Sequence, residues 1–434
     1  MPVLSLRRRQ IAIVSLLFVG YMSLYFCRAD LSVATPLLVD ELQARGMSQP
    51  DALLRLGMIT SLGTAGYAVG KLFLGGLGDF WGGRINFLIG LAGATVFTVL
   101  FAATGLIPIF TLAWLGNRLT QSLSWAGLIK VSSKWFNFSS YGTVIGILSV
   151  SYLVGDAVAR QLMGMLIHHG FGWRALFYFA AGVAAVCLLI NFLFLRESRA
   201  GLGFEEARTN PLNLFAQSES RPASVAALLQ PLFRSPAFQL VCLLSFTCTI
   251  VRETFNNWTP EYLHAYLSYS AGDAGSMSAI FPAVGAVSVL VTGWLSDRLG
   301  INGRALLMFV GLSTATVALL ALMSVPSEAG TSLIPLLAIG AVAFCLLGPY
   351  SYLGGAFALD FGGKQGSAVA SGMIDGIGYL GGILAGASVT QVSNSFGWQG
   401  VFVALAGVTA LAAIAAGFLY ALRFRAASIQ QTAQ

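Results

Sequence analysis

Stretches of about 20 apolar residues recur along the whole chain, and a membrane is the environment that such stretches fit. An α-helix of that length crosses the bilayer core, because it satisfies its backbone hydrogen bonds internally. Short polar segments separate twelve such stretches. Their approximate limits are 11–37, 53–78, 85–106, 108–134, 141–167, 173–195, 237–263, 273–296, 304–325, 331–358, 366–391 and 398–422. The sequence therefore predicts an all-α membrane protein with twelve transmembrane helices.

The scarcity of charge supports this prediction. Asp, Glu, Lys and Arg make up 9% of the residues, whereas soluble domains carry roughly 25%. Hydrophobic residues make up 56%, which excludes soluble, fibrous and disordered proteins. The five cysteines lie inside apolar runs, a pattern typical of small buried hydrophobes and not of a disulfide framework.

Several enzyme classes are excluded by the motifs. The sequence has three histidines and neither HExxH nor paired CxxC spacing, so a metal centre is not expected. A Walker sequence and a nucleophile–base set are also missing, which argues against an ATP-driven pump and against a membrane enzyme. We therefore predict a protein that is not an enzyme and needs no cofactor.

Basic residues set the expected orientation. With the amino terminus in the cytoplasm, most basic residues of the connecting segments are cytoplasmic, and Arg45, Arg55 and Arg174 lie outside. Both termini are then cytoplasmic, and the net charge of +7 needs no nucleic acid to explain it. The apolar run after Arg9 continues past Arg28, unlike a cleaved signal peptide. We expect a multi-pass protein of the plasma membrane, the inner membrane in a bacterium.

The two halves of the chain resemble each other. Arg28 precedes Pro36 by eight residues, as Arg252 precedes Pro260, and Phe-Gly-Trp opens both the sixth and the twelfth span. The predicted domains are an N-terminal six-helix bundle (1–196), a cytoplasmic linker (197–236) and a C-terminal six-helix bundle (237–434). Parallel repeats of this kind are typical of transporters with a midplane site between pseudo-symmetric bundles.

Charges inside the spans are costly and therefore mark candidate functional residues. The basic ones are Arg28, Lys71, Arg118, Lys130, Arg160 and Arg252, and the acidic ones are Asp30, Asp156, Glu253 and Asp375. The surplus of positive charge suits an anion. Arg28 and Arg252 each lie in the first span of a half, and their planar forks match phosphate or carboxylate. The alternative is internal ion pairing with Asp30, Glu253 or Asp375.

The other charged positions allow two interpretations each. Asp156 and Arg160 are spaced to neutralise each other on one helix face, which we favour; alternatively Asp156 contacts a cationic or hydroxyl group of the substrate, or titrates. Asp375 is a candidate counter-ion for an arginine. Lys130 comes one turn before Lys134, and whether it faces a cavity stays open.

Two loops resemble the G-x-x-x-D-R-x-G-R signature of the major facilitator superfamily. They read GGLGDFWGGR (75–84) and TGWLSDRLGINGR (292–304), and Phe80 stands where arginine is usual. The resemblance implies the major facilitator fold. It also implies that the loop charges hold the cytoplasmic faces together in the outward-facing state. These charges are Asp79, Arg84, Asp297, Arg298 and Arg304.

Four segments resemble the organophosphate:phosphate antiporters within that superfamily, which include glycerol-3-phosphate and hexose-6-phosphate transporters. They are GYMSLYFCRADLSVATP (20–36), AGYAVGKLFLGGLGD (65–79), VRETFNNWTPEYL (251–263) and GYLGG (378–382). The resemblance implies that Arg28 and Arg252 bind the phosphoryl group. It also implies that the cavity is lined by Tyr21, Tyr25, Tyr67, Lys71 and Tyr379. Asn256 and Tyr152 are additional candidates for substrate binding.

Some positions depart from the antiporter pattern. Tyr152 stands where the glycerol-phosphate transporters have a histidine, and Ala29 stands where a basic residue is frequent. Arg118, in NRLTQSLSWAG (117–127), resembles the arginine signature of proton-coupled facilitators. RADLSVATP (28–36) resembles the anion:cation symporters.

The sequence thus predicts a secondary transporter of a small phosphorylated anion of the sugar-phosphate or glycerol-phosphate type. We expect exchange with inorganic phosphate by alternating access of the two halves. Its expected partners are that substrate and membrane lipid, and we expect a monomer. The alternatives are a proton-coupled symporter of an organic acid, such as a sugar acid, and a membrane sensor that binds sugar phosphate.

Overall fold

A computed structural model describes residues 2–74, 81–207, 232–299, 303–327 and 333–432. Within these ranges the regular structure is helical and no strand occurs. The predicted residue Asp79 lies outside the described residues, as does most of the predicted linker.

The first half contains six long helices. They are α1 (Pro2–Ala44), α2 (Gln49–Val69), α3 (Gly83–Ala103), α4 (Ile107–Trp135), α5 (Phe138–His168) and α6 (Trp173–Phe194). A π-helical turn, Gly70–Leu74, continues α2. A short 3₁₀ turn, Ala200–Leu202, follows α6.

The second half contains seven helices within the described residues. They are α7 (Pro236–Glu261), α8 (Ala271–Met277), α9 (Ile280–Leu299), α10 (Gly303–Met323), α11 (Leu333–Tyr350), α12 (Ala358–Leu384) and α13 (Ala387–Thr432). Two π-helical turns, Tyr262–Tyr266 and Leu353–Phe357, follow α7 and α11.

The described helices account for the twelve predicted spans. Among the residues that the structure describes, nine stretches are long and apolar enough to cross a membrane. Helices α4 and α5 fall outside that set and carry the buried charges Arg118, Asp156 and Arg160. The last of the nine, Gly372–Leu422, has 51 residues and breaks at Gly397, whose φ of 68° is left-handed. That backbone conformation favours glycine, so the Phe-Gly-Trp motif marks the boundary between two spans.

Chain packing divides the protein into two compact units. Unit 1 comprises Met1–Pro211 and Tyr269–Ala279, and unit 2 comprises Leu212–Ser268 and Ile280–Gln434. The eighth predicted span is therefore two helices: α8 belongs to unit 1, and α9 belongs to unit 2. The two bundles predicted from the sequence divide at the linker, so α8 would belong to the C-terminal bundle. In the structure it packs with unit 1.

Helix α1 is kinked beside the first arginine of the repeat. Cys27 has a ψ of 15°, outside the helical range. In a regular helix the Leu31 N–H would donate to the Cys27 carbonyl. Here Gln121 Nε2 donates to the Cys27 carbonyl (3.2 Å), and the Leu31 N–H donates to Asp30 Oδ1 (2.7 Å). Side chains thus satisfy the backbone groups at the kink, which places Arg28 directly after it.

Glycine faces bring α2 close to α4. A Cβ at Gly63 would lie 2.4 Å from the Trp114 ring, and one at Gly70 would lie 2.1 Å from Ser122 Oγ. Small residues allow such close approach between helices in a membrane. The π turn that starts at Gly70 carries Lys71, and π turns are frequent at functional sites.

One end of unit 1 is held by aromatic and ionic contacts. The Phe101 ring stacks on those of Phe110 (4.4 Å) and Phe177 (4.5 Å). The Glu41 carboxylate accepts hydrogen bonds from Trp173 and from Arg174. These contacts join α1 to α6 and stack α3 between α4 and α6. We call this the Glu41 end.

Glu197 organises the opposite end of unit 1. Its carboxylate accepts hydrogen bonds from Lys134 Nζ (2.6 Å) and from the N–H groups of Gly83 (3.0 Å) and Arg84 (2.7 Å). Burial alone would raise the pKa of the Glu197 carboxyl, but these hydrogen bonds and the nearby ammonium outweigh it, and the pKa lies below its usual range. A carboxylate is favourable at a helix N-terminus, so Glu197 ties α3 to α4.

Helix α8 packs on α5 through small residues. A Cβ at Gly164 would lie 2.2 Å from Ser276 Oγ, and one at Gly272 would lie 2.7 Å from His168 Nδ1. At the exposed edge, His168 Nε2 lies 3.6 Å from Asp273 Oδ1. This close packing explains why Tyr269–Ala279 belongs to unit 1.

In unit 2, a glycine face of α12 packs on α7. A Cβ at Gly378 would lie 2.5 Å from Ser245 Oγ, and one at Gly381 would lie 2.3 Å from the Phe246 carbonyl. Trp258 Nε1 donates to the Ala385 carbonyl (2.7 Å) and joins the same two helices. The GYLGG motif thus brings Tyr379 next to α7.

We predict a pH-dependent contribution of Glu197 to stability. Its folded pKa lies below the unfolded value, so the stabilisation is present above the unfolded value of about 4.5 and is lost as the pH falls through the folded pKa. Because solvent screens these partly exposed charges, the stabilisation amounts to about 1 kcal/mol. Glu197→Gln should therefore lower the unfolding temperature by about 2–4 °C at pH 7, and the difference should shrink below pH 4. Thermal unfolding in detergent measures this. The exposed Glu205→Gln is the control, and an equal loss at both pH values would contradict the prediction.

Candidate functional site

Arg28 is held between two tyrosines inside unit 1. Its Nη1 donates to the Tyr25 hydroxyl (2.9 Å), one turn earlier on α1. Its Cζ lies 5.1 Å from the centroid of the Tyr25 ring and 4.7 Å from that of the Tyr67 ring. Aromatic faces stabilise a cation in a desolvated place. The guanidinium is thereby oriented without being fully buried.

Three cations surround the Tyr67 ring. Besides Arg28, the Arg118 Cζ lies 5.0 Å and the Lys71 Nζ lies 5.5 Å from its centroid. The ring itself is buried, with 2% exposed. We call Arg28, Lys71, Arg118 and Tyr67 the unit 1 cluster. Like charges brought together in a low dielectric repel each other, so an anion bound here would be strongly favoured.

The remaining predicted tyrosines of unit 1 extend this cluster. The Tyr25 ring contacts those of Tyr21 (5.9 Å between centroids) and Tyr152 (5.7 Å). Tyr21 also packs on Trp125 (5.2 Å). Helices α1, α4 and α5 thus contribute one continuous set of aromatic side chains. Tyr152, which stands at the position of a histidine in the glycerol-phosphate transporters, belongs to this aromatic set.

Asp30 lies on the other side of the α1 kink. It is fully buried, and its Oδ1 accepts the Leu31 N–H. Its Oδ2 has no hydrogen-bond partner within the described part of the chain. Arg118 is the cation that attracts it electrostatically. Asp30 therefore supports the kink and moderates the positive charge of the unit 1 cluster.

Asp156 and Arg160 form a buried ion pair, as the favoured interpretation predicted. Arg160 Nε donates to Asp156 Oδ1 (2.9 Å). Arg160 Nη1 also lies within hydrogen-bond distance of Ser278 Oγ (3.2 Å) and Ser32 Oγ (3.4 Å). This guanidinium joins α5 to α1 and to the end of α8.

Arg252 is ion-paired inside unit 2. Its Nη2 and Nε donate to Glu253 Oε1 at 2.6 and 3.2 Å. The side chains are 11% and 3% exposed, respectively. The structure thus contains an ion pair between Arg252 and Glu253, and the binding of a phosphoryl group by Arg252 stays a prediction. Adjacent residues of a helix do not face each other, and the long arginine side chain bends round to meet its neighbour.

Tyrosines from two other helices surround that pair. Arg252 Nη2 also donates to the Tyr379 hydroxyl (3.3 Å), and its Cζ lies 4.9 Å from the Tyr350 ring centroid. Thr249 Oγ1 donates to the Tyr350 hydroxyl (3.3 Å). Asp375 interacts electrostatically with Tyr350. We call Arg252, Glu253, Tyr350, Tyr379 and Asp375 the unit 2 cluster.

The other predicted residues lie elsewhere. Lys130 is on α4 beside Gly83, toward the Glu197 end, and Asn256 is half-buried on α7, one turn after Arg252. Among the loop charges, Arg84 Nη2 donates to the Phe192 carbonyl (2.6 Å) and the exposed Arg298 stacks on Trp294 (4.0 Å). Arg304 is half-buried at the start of α10. The Asp79 and Asp297 side chains lie outside the described residues, so their predicted role is untested.

The structure adds residues that the motifs did not single out. Gln121 supports the α1 kink, and Asn117 Oδ1 accepts from its amide (2.5 Å). Glu197, not a predicted loop charge, joins α3 to α4. In the sequence, Gln121 follows Asn117 by four positions on an apolar helix. Two polar residues at that spacing share one helix face, and this signal could have identified Gln121 as a candidate.

A family model for the Major Facilitator Superfamily matches residues 17–386. Solved structures agree on the fold: a D-xylose-proton symporter has a TM-score of 0.76 at 12% identity, over 94% of this chain and 97% of that one. The twelve-helix fold predicted from the sequence is confirmed.

Curated relatives align over nearly the whole chain. The glycerol-3-phosphate transporter of Bacillus subtilis (strain 168) is 24% identical over 92% of this chain and 89% of its own length. A protein of Chlamydia trachomatis serovar D, named "Probable hexose phosphate transport protein", is 27% identical over 92% of this chain and 88% of its own length. These relatives confirm the resemblance to the organophosphate:phosphate antiporters. The chain is an integral membrane protein that belongs to the Major Facilitator Superfamily.

Proposed function

We propose that this protein transports a small phosphorylated organic anion and exchanges it for inorganic phosphate. The observation that carries the proposal is the unit 1 cluster, in which Arg28, Lys71 and Arg118 lie around one tyrosine ring. Guanidinium and ammonium groups are the donors that bind phosphoryl oxygens in proteins. The relatives named for glycerol-3-phosphate and hexose phosphate support the same substrate class.

Exchange follows from the electrostatics of this cluster. A bound anion lowers the repulsion among the gathered cations, and such repulsion is costly in the low dielectric of the membrane. Reorientation of the empty protein is then slower than reorientation with an anion bound. We propose alternating access between the two repeats, with Arg28 and Arg252 both contacting the substrate. We also propose that both termini are cytoplasmic, in the plasma membrane.

A proton-coupled symporter of an organic acid is the second candidate. The observation in its favour is the buried Asp30, which attracts Arg118. A buried carboxylate next to a buried cation can exchange a proton during transport. An imposed pH gradient distinguishes the two candidates.

The first test uses purified protein in proteoliposomes loaded with inorganic phosphate. Without a pH gradient, labelled phosphate should enter by exchange, and one organophosphate in a panel that also contains carboxylates should block it. If a carboxylate enters only under an imposed proton gradient and phosphate is not exchanged, the result would favour the proton-coupled symporter. Binding of an organophosphate with no flux would point to a sensor instead.

Arg28→Gln should reduce phosphate exchange by about 100-fold or more. The change removes two charge-assisted hydrogen bonds, each worth about 1.5–3 kcal/mol. Arg28→Lys keeps the charge and loses the planar fork, so it should retain about a tenth of the activity. Initial rates per inserted protein measure both. The exposed Arg55→Gln should match wild type. Full activity of Arg28→Gln would refute a role for this side chain in binding.

Asp30→Asn separates the two candidates. Asparagine retains an oxygen for the Leu31 N–H and therefore keeps the kink, so exchange should stay within about threefold of wild type. Asp30→Leu removes that oxygen and should impair exchange. The measurement is exchange with and without a pH gradient. Loss of gradient-driven uptake in Asp30→Asn, with equilibrium exchange intact, would favour the symporter.

A further inference from the structure

A groove between α3 and α6 runs along the surface of unit 1. Its walls are isoleucine and leucine side chains of both helices, and Ala92 and Ala185 are the smallest side chains in its lining. The groove contains about 960 Å³ of atom-free space that opens to the surroundings, within the roughly 300–1,000 Å³ of ligand sites. Ile85 and Leu189 of its walls are 46% and 58% exposed. Because both helices are long and apolar enough to cross a membrane, the groove faces lipid.

Arg84 and Phe192 lie at one end of this groove. Arg84 is the first lining residue along α3, and Phe192 is the last along α6. The Arg84 Nη2 donates to the Phe192 carbonyl (2.6 Å), and its Cζ lies 5.7 Å from the centroid of the Phe192 ring. From Arg84 the lining continues along α3 to Ala92, a rise of about 12 Å. An apolar groove of this length with a cation at its end matches the acyl chain and the headgroup of a phospholipid.

The charge of Arg84 favours an anion at this end. None of the ion pairs among the described residues involves its guanidinium. The nearby Glu197 accepts the backbone N–H of Arg84 (2.7 Å) and is itself matched by Lys134 Nζ (2.6 Å). A guanidinium has five N–H donors, and the Phe192 carbonyl accepts from one of them. Its N–H groups match the oxygens of a phosphate, and such charge-assisted hydrogen bonds are strong.

We propose that this groove binds a phospholipid with an anionic headgroup. Arg84 contacts the lipid phosphate, and one acyl chain lies along Ala92 and Ala185. Basic pockets between transmembrane helices on the cytoplasmic side bind anionic headgroups, and the proposed orientation places the Glu197 end in the cytoplasm. A free phosphate ion would use the arginine but not the apolar length of the groove, so the geometry favours a lipid. Lipid binding here is independent of the substrate that the protein transports.

Native mass spectrometry of the full-length protein in detergent tests the site. The readout is a lipid ratio, the association constant of the first bound phosphatidylglycerol divided by that of phosphatidylcholine with the same acyl chains. Both lipids carry a phosphate, but the quaternary amine of phosphatidylcholine cancels its charge. Wild type should prefer phosphatidylglycerol by about fivefold or more, and Arg84→Gln should lower the ratio by about fivefold, because one basic residue is worth about 1 kcal/mol to an anionic lipid.

Variants that fill the groove separate this site from general attraction between anionic lipid and basic residues. Ala185→Leu and Ala92→Leu keep Arg84 and occupy the space of the acyl chain, so each should lower the lipid ratio as much as Arg84→Gln does. They also test the proposal if Arg84→Gln does not fold, which its unfolding temperature shows.

Two control variants should leave the lipid ratio unchanged. Val186→Leu enlarges the next side chain of α6, which is 58% exposed and outside the groove lining. Arg298→Gln removes another exposed guanidinium that stacks on an aromatic ring. Excess inorganic phosphate should not displace phosphatidylglycerol from wild type.

Four results would overturn the inference. The first is equal affinity of wild type for the two lipids, and the second is an unchanged ratio in a folded Arg84→Gln variant. The third is an unchanged ratio in both alanine variants, since surface charge alone would then explain the preference. The fourth is displacement of the lipid by inorganic phosphate, which would make Arg84 part of an ion site. None of these results depends on transport, so the proposed function is tested separately.

Discussion

The cost of holding charge in a low dielectric governs this structure. A charge inside the membrane persists where aromatic faces, a counter-charge or a ligand compensate it. Four arginines inside the spans show this: Arg28 and Arg118 lie over Tyr67, Arg160 pairs with Asp156, and Arg252 pairs with Glu253. The kind of compensation differs among these cations. Arg160 and Arg252 each have a carboxylate within hydrogen-bond distance, and aromatic faces stabilise Arg28 and Arg118.

Irregular backbone coincides with these charged positions. The α1 kink at Cys27 precedes Arg28, the π turn after α2 carries Lys71, and the π turn after α11 places Gly354 next to Asp375. The α1 kink leaves backbone groups that would be unsatisfied in lipid, so it requires polar neighbours. Gln121 and Asp30 fill that need at the kink. The polar residues of the spans thus serve two purposes, and a variant at such a position tests geometry as well as charge.

Local sequence patterns predicted much of the fold, but they did not predict how most of the candidate site residues contact each other. The length of the apolar stretches predicted the spans, and the repeated Arg–Pro and Phe-Gly-Trp spacings predicted the two halves. Both signals can be found locally, because each depends on residues close together in the sequence. The position of α8 in unit 1 depends on Gly164 and Gly272, which lie far apart in sequence. The Arg252–Glu253 pair contradicts the helical spacing rule, since adjacent residues point in different directions. The flexible arginine stem allows that contact, and the guanidinium also lies over the Tyr350 ring of α11.

An internal repeat fixes the fold twice but leaves the chemistry of each copy free to diverge. Arg28 and Arg252 occupy equivalent positions, yet Ala29 follows the first and Glu253 follows the second. That one neighbouring residue gives the second arginine a carboxylate partner at 2.6 Å, so the two copies agree in sequence position and differ in charge. A charged residue inside a membrane span therefore cannot be interpreted from its repeat partner alone, since the residues beside it decide how its charge is compensated.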